Sequence, residues 1–188
     1  MPLVPIERRR YLKHSWRADT YGQTRIWAVV SLFVGALLSG CDPGGQPVSV
    51  GQPFSDLEGV DLLTGENIAL KQFRGKVVLI DFWATWCAPC VVEIPNVKML
   101  YDKYHDQGFE IISISLDRSQ VDCERFVKRE KMNWHHIFDG GGRLAARYGV
   151  RAIPAMYLVG KDGKVVSDNV RGRRLEPAIK EALRSVPE

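Results

Sequence analysis

From residue 77 onward the chain alternates between short apolar runs and segments in which apolar residues recur every three or four positions. Val77–Phe82 (VVLIDF) follows Arg74-Gly75-Lys76 and is apolar at every position but one, the pattern of a strand buried on both faces. Pro89 stands where a helix can begin, and Val91–His105 carries helical spacing through Ile94, Val97, Met99, Leu100 and Tyr104. Gly108 stops that helix, and Phe109–Leu116 (FEIISISL) reads as the next strand. Val121–Lys131 is a charged amphipathic helix, Trp134–Phe138 a short extended segment, and Arg143–Tyr148 a helical turn ended by Gly149. Ala155–Val159 and Lys164–Ser167 flank Lys161-Asp162-Gly163 and predict a hairpin; Leu175–Ser185 closes the chain as a helix. The order β-α-β-α-β-α-β-β-α predicts an α/β fold, a mixed central sheet with helices on both faces.

The pattern is different near the start. Ile26–Gly40 is a 15-residue apolar run without a charge or a polar face, preceded by basic residues. It is short for a bilayer core of about 30 Å and suits a secretory signal. Its last residues, Leu38-Ser39-Gly40-Cys41, resemble the bacterial lipobox, which implies cleavage before Cys41 and a diacylglycerol on its sulfur. A doubly or triply acylated cysteine is a stable membrane anchor, whereas one chain is marginal. The sequence therefore divides into a signal peptide at 1–40, a Gly- and Pro-rich tether at 41–53, and a folded domain at 54–188 delivered outside the cytoplasm, where disulfide chemistry is available.

Charge changes the picture once it is located. Of 26 basic and 22 acidic residues, six and two respectively precede Cys41, which leaves 20 of each sign in the exported part. The net charge of +4 thus belongs to the leader, and the body lacks the basic balance of a nucleic-acid-binding protein.

The chemistry lies where the apolar strand meets the first long helix, in Phe82-Trp83-Ala84-Thr85-Trp86-Cys87-Ala88-Pro89-Cys90. A cysteine just outside a helix N-terminus has its thiolate stabilised by free backbone N–H groups and the helix dipole. Cys87 holds that position and is expected to be the exposed nucleophile; Cys90, one turn inward, can resolve a mixed disulfide formed on Cys87. This segment resembles the active site of thioredoxin, and the domain resembles the membrane-anchored TlpA/ResA-type thiol-disulfide oxidoreductases. The resemblance implies a three-layer thioredoxin-like fold in which Val121–Phe138 is the extra helix and strand of the exported branch. It also implies that Asp81 exchanges protons with the inner cysteine and that Glu93, in Cys90-Val91-Val92-Glu93-Ile94-Pro95, belongs to the site. Pro154 falls at the position of a cis-proline facing the dithiol, with Ile153 offering backbone groups to an extended substrate and Trp86 and Pro89 shaping the contact surface.

The same resemblance implies an enzyme that exchanges disulfides with protein substrates such as apocytochrome c, working as a reductase. It would receive electrons from a membrane thiol carrier, and need no cofactor or metal beyond the Cys87–Cys90 dithiol. Two other functions fit parts of the pattern. A copper metallochaperone of the same fold would use two thiolates, which suit Cu(I), but such proteins space their cysteines one residue further apart. A thiol peroxidase would share the insertion, yet Thr85-Trp86-Cys87 does not reproduce the peroxidase order of Pro, Thr and Cys. Cys123, His135 and His136 have no ligand-like spacing to the dithiol for a structural zinc. Cys123 reads as an inert buried thiol, and the histidine pair as two residues alternating along a strand.

Overall fold

The structure is a computed structural model that describes residues 47–54 and 57–186. The leader, the lipidation candidate Cys41 and the first part of the tether lie outside the described residues. The strands are β1 (Glu58–Val60), β2 (Asn67–Ala69), β3 (Val77–Trp83), β4 (Phe109–Ser115), β5 (His135–Phe138), β6 (Ala155–Val159) and β7 (Val165–Asp168). The helices are α1 (Ala88–Tyr104), α2 (Gln120–Glu130), α3 (Arg143–Arg147) and α4 (Leu175–Arg184). β1 and β2 form an antiparallel pair; the other five strands form one sheet in the order β5-β4-β3-β6-β7. β3, β4 and β5 are parallel, while β6 is antiparallel to β3 and to β7.

The central strand β3 is buried at all seven positions because both of its faces are covered. Val77, Leu79 and Trp83 pack with Ile94, Val97 and Leu100 of α1, Val127 of α2 and Ile179 of α4. Val78, Ile80 and Phe82 point the other way, into a layer with Phe54, Leu57, Ile68, Ala145 and Tyr148. The expected three layers are present, but the second face is covered by α3 and the β1–β2 pair rather than by a long helix. On α1 the buried positions are Cys90, Ile94, Val97, Leu100 and Tyr104, one continuous helical stripe. Met99, expected on that stripe, is exposed.

The β1–β2 pair is held to the edge of the main sheet by polar contacts. Asp61, buried, accepts from the Leu63 and Thr64 N–H groups at 2.8 and 3.0 Å and so closes the turn. Its other oxygen meets His135 Nδ1 at 3.1 Å, and Leu62 N–H donates to the His136 carbonyl at 2.7 Å. Gly59 permits the close approach, since a Cβ there would stand 2.6 Å from Ile137 Cγ2.

The tether ends earlier than the sequence predicts. Gly51 N–H donates to the Val165 carbonyl at 2.8 Å, Val165 N–H to Gln52 at 2.9 Å, and Pro53 bridges to Lys164. Residues 51–53 therefore belong to the folded body, where they cover the outer edge of β7.

Candidate active site: a buried carboxyl beneath a helix-capping dithiol

Cys87 is the N-cap of α1, with φ −87° and ψ 93°, and its Sγ accepts the backbone N–H of Cys90 at 3.3 Å. The sequence places it there because Pro89, with no N–H to lose in a first turn, starts the helix. The two sulfurs form a disulfide across a Cα–Cα distance of 5.2 Å. In this oxidised state Cys87 and Cys90 are 5% and 3% exposed, so the expectation that Cys87 alone is accessible is not met. Position at a helix start sets the local field but not the exposure: in the disulfide, Cys87 lies in the apolar layer with Trp83, Ala84 and Ile94. Trp86, Ala88 and Pro89 remain exposed around it.

Asp81 lies two residues before Trp83 and two after Leu79, so its side chain faces the layer that contains both cysteines. It is buried, paired in register with Ser113 and Met156, and its Oδ1 has no hydrogen-bond partner among the described residues. Burial, and then the charge of Glu93, push its carboxyl up to about 7. Glu93 sits one turn beyond Cys90, half-buried, and its Oε1 accepts from Gly172 N–H at 2.8 Å and Asn96 Nδ2 at 2.6 Å. It thereby ties the segment after β7 to the first turns of the dithiol helix.

The loop between β3 and α1 is held by a residue that sequence reasoning missed. Asp117, buried, accepts from Thr85 N–H at 3.1 Å and from Thr85 Oγ1 at 2.7 Å. Ser115 Oγ donates to its other oxygen at 2.8 Å. Thr85 is two residues from Cys87, so Asp117 positions the backbone that leads through Trp86 to Cys87. Only the Ser-x-Asp spacing after an apolar strand marks it in the sequence, and its partner stands 32 residues away.

The Ile153–Pro154 peptide bond is cis, as the resemblance to the thioredoxin-like family implies. β6 pairs Ala155 with Phe82, which carries Pro154 to the level of Trp83 at the dithiol end of β3. Ile153 packs against the layer that holds Cys87 and Cys90. A groove of about 640 Å³ runs along Ile153, Pro154, Tyr157 and Arg171. A second, of about 570 Å³, lies beside Trp86 and is lined by Leu116, Arg118 and Asp122.

The remaining candidates have structural surroundings. Cys123 is fully buried, and burial pushes its thiol up to about 11, which keeps it protonated and unreactive. His136 is buried, its Nε2 donates to the Met132 carbonyl at 3.0 Å, and burial lowers it to about 4, so the ring is neutral. His135 is partly exposed and meets Asp61. Among the described residues, no cluster of three or more His, Cys, Asp or Glu side chains is placed to hold a metal ion.

Comparison with known proteins agrees with this geometry. Residues 50–167 match the AhpC/TSA family. The chain is 37% identical over 124 residues to the thiol-disulfide oxidoreductase ResA of Bacillus cereus (strain ATCC 10987 / NRS 248), covering 66% of this chain and 71% of that protein. It is 33% identical over 139 residues to ResA of Geobacillus thermodenitrificans, covering 74% and 79%. Among solved structures, the thioredoxin domain of a thiol-disulfide oxidoreductase from Bacteroides vulgatus superposes with a TM-score of 0.68 at 28% identity, covering 73% of this chain and 99% of that one. A putative thiol:disulfide interchange protein DsbE from Chlorobium tepidum gives 0.67 at 30% identity, covering 72% and 99%. With a Cys-x-x-Cys disulfide at the N-terminus of the helix that follows a buried central strand, the chain belongs to the AhpC/TSA family and is a thiol-disulfide oxidoreductase of thioredoxin-like fold, similar to ResA.

Proposed function

We propose that this oxidoreductase works outside the cytoplasm as a reductase of protein disulfides, apocytochrome c among the candidates, and draws its electrons from a membrane thiol carrier. Residues 1–40 serve as the signal, Cys41 carries the lipid anchor, and the residues after it, up to the pairing with β7, act as the tether. The dithiol is the only redox group the reaction needs. Cys87 thiolate attacks one sulfur of the substrate disulfide; a Cys87–substrate disulfide forms and the first substrate thiolate leaves, taking a proton from solvent. Cys90 then gives its proton to the Asp81 carboxylate and attacks Cys87 Sγ. The Cys87–Cys90 disulfide closes, the second substrate sulfur leaves as a thiolate, and Asp81 passes the Cys90 proton to it. Counting the proton that Cys87 gave to solvent on ionising, the substrate gains two electrons and two protons, and the two thiols lose them. Glu93 adjusts the field at Asp81 and Cys90, while Trp86, Pro89, Ile153 and Pro154 contact the substrate chain.

The observation that supports the dithiol exchange is the Asp81 carboxyl, buried on the face of β3 that packs against both cysteines, with one oxygen unpartnered among the described residues and a pKa raised to about 7. A base of that strength accepts a thiol proton near neutral pH and releases it again. Equilibration with redox buffers tests the direction: a reductase is expected at or below about −220 mV, and a value near about −120 mV would make the protein an oxidant. Cys41→Ser is expected to release the protein from the membrane fraction or leave it unprocessed. A processed variant that still sediments with membranes would remove the anchor.

A further inference from the structure

The body of the protein is formally neutral, but its charges are not evenly placed. β3, β4 and β5 end at the same end of the sheet; β6 begins there, and β7 returns to it. Segments 84–87, 116–119, 139–142, 149–154 and 169–174 therefore all lie at the dithiol end. Five arginines stand in them, Arg118, Arg151, Arg171, Arg173 and Arg174, and all five are exposed. The acids in the same segments are Asp117 and Asp139, both buried and both committed to local hydrogen bonds, Asp139 to the N–H groups of Leu144 and Ala145. Two exposed acids also lie here: Asp168, the last residue of β7, lines the same groove as Arg151 and Arg171, and Asp122, in the first turn of α2, lines the same groove as Arg118 and pairs with Arg125. None of the five arginines forms an ion pair among the described residues. Away from this end the bases are mixed: Lys76, Lys103, Lys128, Lys164 and Lys180 each meet a carboxylate, whereas Lys71, Lys98, Lys131 and Arg184 meet none among the described residues.

These arginines are also tied to the site. Arg118 lines the groove beside Trp86, and Arg151 and Arg171 line the groove of Ile153 and cis-Pro154. Arg171 and Arg173 flank Gly172, whose N–H is held by Glu93 on the dithiol helix.

We propose that the dithiol end is a docking surface for protein partners whose disulfide is flanked by acidic residues, with Arg118, Arg151, Arg171 and Arg173 receiving the carboxylates. The proposal deepens the reading that Cys87 and Cys90 react with protein disulfides and depends on it. Guanidinium groups match carboxylates as paired donors, and a rim with an excess of positive charge speeds encounter in a salt-dependent way. An anionic lipid surface would attract the same arginines. A protein is favoured because the rim surrounds the one group, the dithiol, that must meet another disulfide.

The test uses the full-length protein, reduced, in nonionic detergent. It is offered two peptides closed by the same intramolecular disulfide, one flanked by Asp and Glu and the other by Lys, and separately the neutral 2-hydroxyethyl disulfide. In each reaction two electrons and two protons pass from the Cys87 and Cys90 thiols to the offered disulfide. At low salt the acidic peptide is expected to react about 10-fold faster than the basic one, and the ratio to fall toward unity near about 0.5 M salt. In the combined variant Arg118→Gln, Arg151→Gln, Arg171→Gln the low-salt ratio is expected to drop several-fold. The salt dependence of the unmodified protein stands as a test without that variant. Equal peptide rates at low salt, with 2-hydroxyethyl disulfide still reduced, would overturn the docking surface and leave the dithiol chemistry standing. Equal rates combined with arginine-dependent binding to phosphatidylglycerol vesicles would assign the rim to lipid and also overturn it. Failure to reduce any of the three disulfides would remove the dithiol reading and the docking surface together.

Discussion

Asp81→Asn is expected to slow resolution of the Cys87 mixed disulfide by about 10²-fold, the range of a lost general base, while the first attack by Cys87 changes much less. The asymmetry comes from position. Cys87 caps α1, where its thiolate is stabilised by backbone N–H groups, and needs no carboxylate to lose its proton. Cys90 lies within the helix, buried in the layer that Asp81 faces. Asp81 acts as a base only when ionised, so the resolution rate of the unmodified protein is expected to rise with pH to a plateau above about 7. Stopped-flow decay of the mixed disulfide across pH 5 to 9 reads both features. Glu93→Gln removes the second cause of the raised pKa and is expected to move the midpoint downward with a smaller loss of rate. Wild-type decay in both variants would leave neither acid a part in the reaction.

The same carboxyl makes the fold pH-dependent, with the largest stability effect expected here. In the unfolded chain Asp81 ionises near its ordinary value of about 4, whereas in the fold it holds its proton to about 7. Below pH 4 both states carry the proton and no dependence arises. Between these values only the unfolded chain has lost it, so stability falls as pH rises, by about 1.4 kcal/mol per unit. The total is on the order of 4 kcal/mol by pH 8, and it reflects the cost of ionising a carboxyl with no partner for Oδ1. Asp81→Asn cannot ionise. Its advantage over the unmodified oxidised protein is expected to grow by that amount from pH 4 to pH 8, read from urea unfolding midpoints with unchanged slope. Parallel pH profiles would mean that Asp81 is either accessible to water or ion-paired.

Among the described residues, periodicity in the sequence marks the five strands of the main sheet and the four α-helices to within a few residues, because each carries its own pattern. Val77–Phe82 could only be a covered strand, and Cys87-Ala88-Pro89-Cys90 announced both the helix start and the dithiol. What was illegible depends on partners far along the chain. β1 and β2 are three residues each, too short for alternation, and exist because Asp61 and Gly59 fit them against β5. Gly51–Pro53 look like tether by composition and become structure only when the β7 edge is there to receive them. Asp117 reads as a loop acid until the fold brings Thr85 to it, and the bond from Gly172 to Glu93 spans 79 residues. Burial of Cys87 was missed for a different reason. A motif states which side chain starts the helix, while exposure is set by whether the sulfur points outward or closes onto its neighbour.

The most direct measurement is intact-mass and peptide mapping of Cys90→Ser after mixing with a disulfide-bearing peptide. Removal of the resolving thiol should halt the exchange midway, with one peptide joined by a disulfide to Cys87 and the buried Cys123 unmodified. A variant that gains no peptide, or gains it on Cys123, would contradict the assignment of Cys87 as the attacking thiol and with it the dithiol exchange reaction.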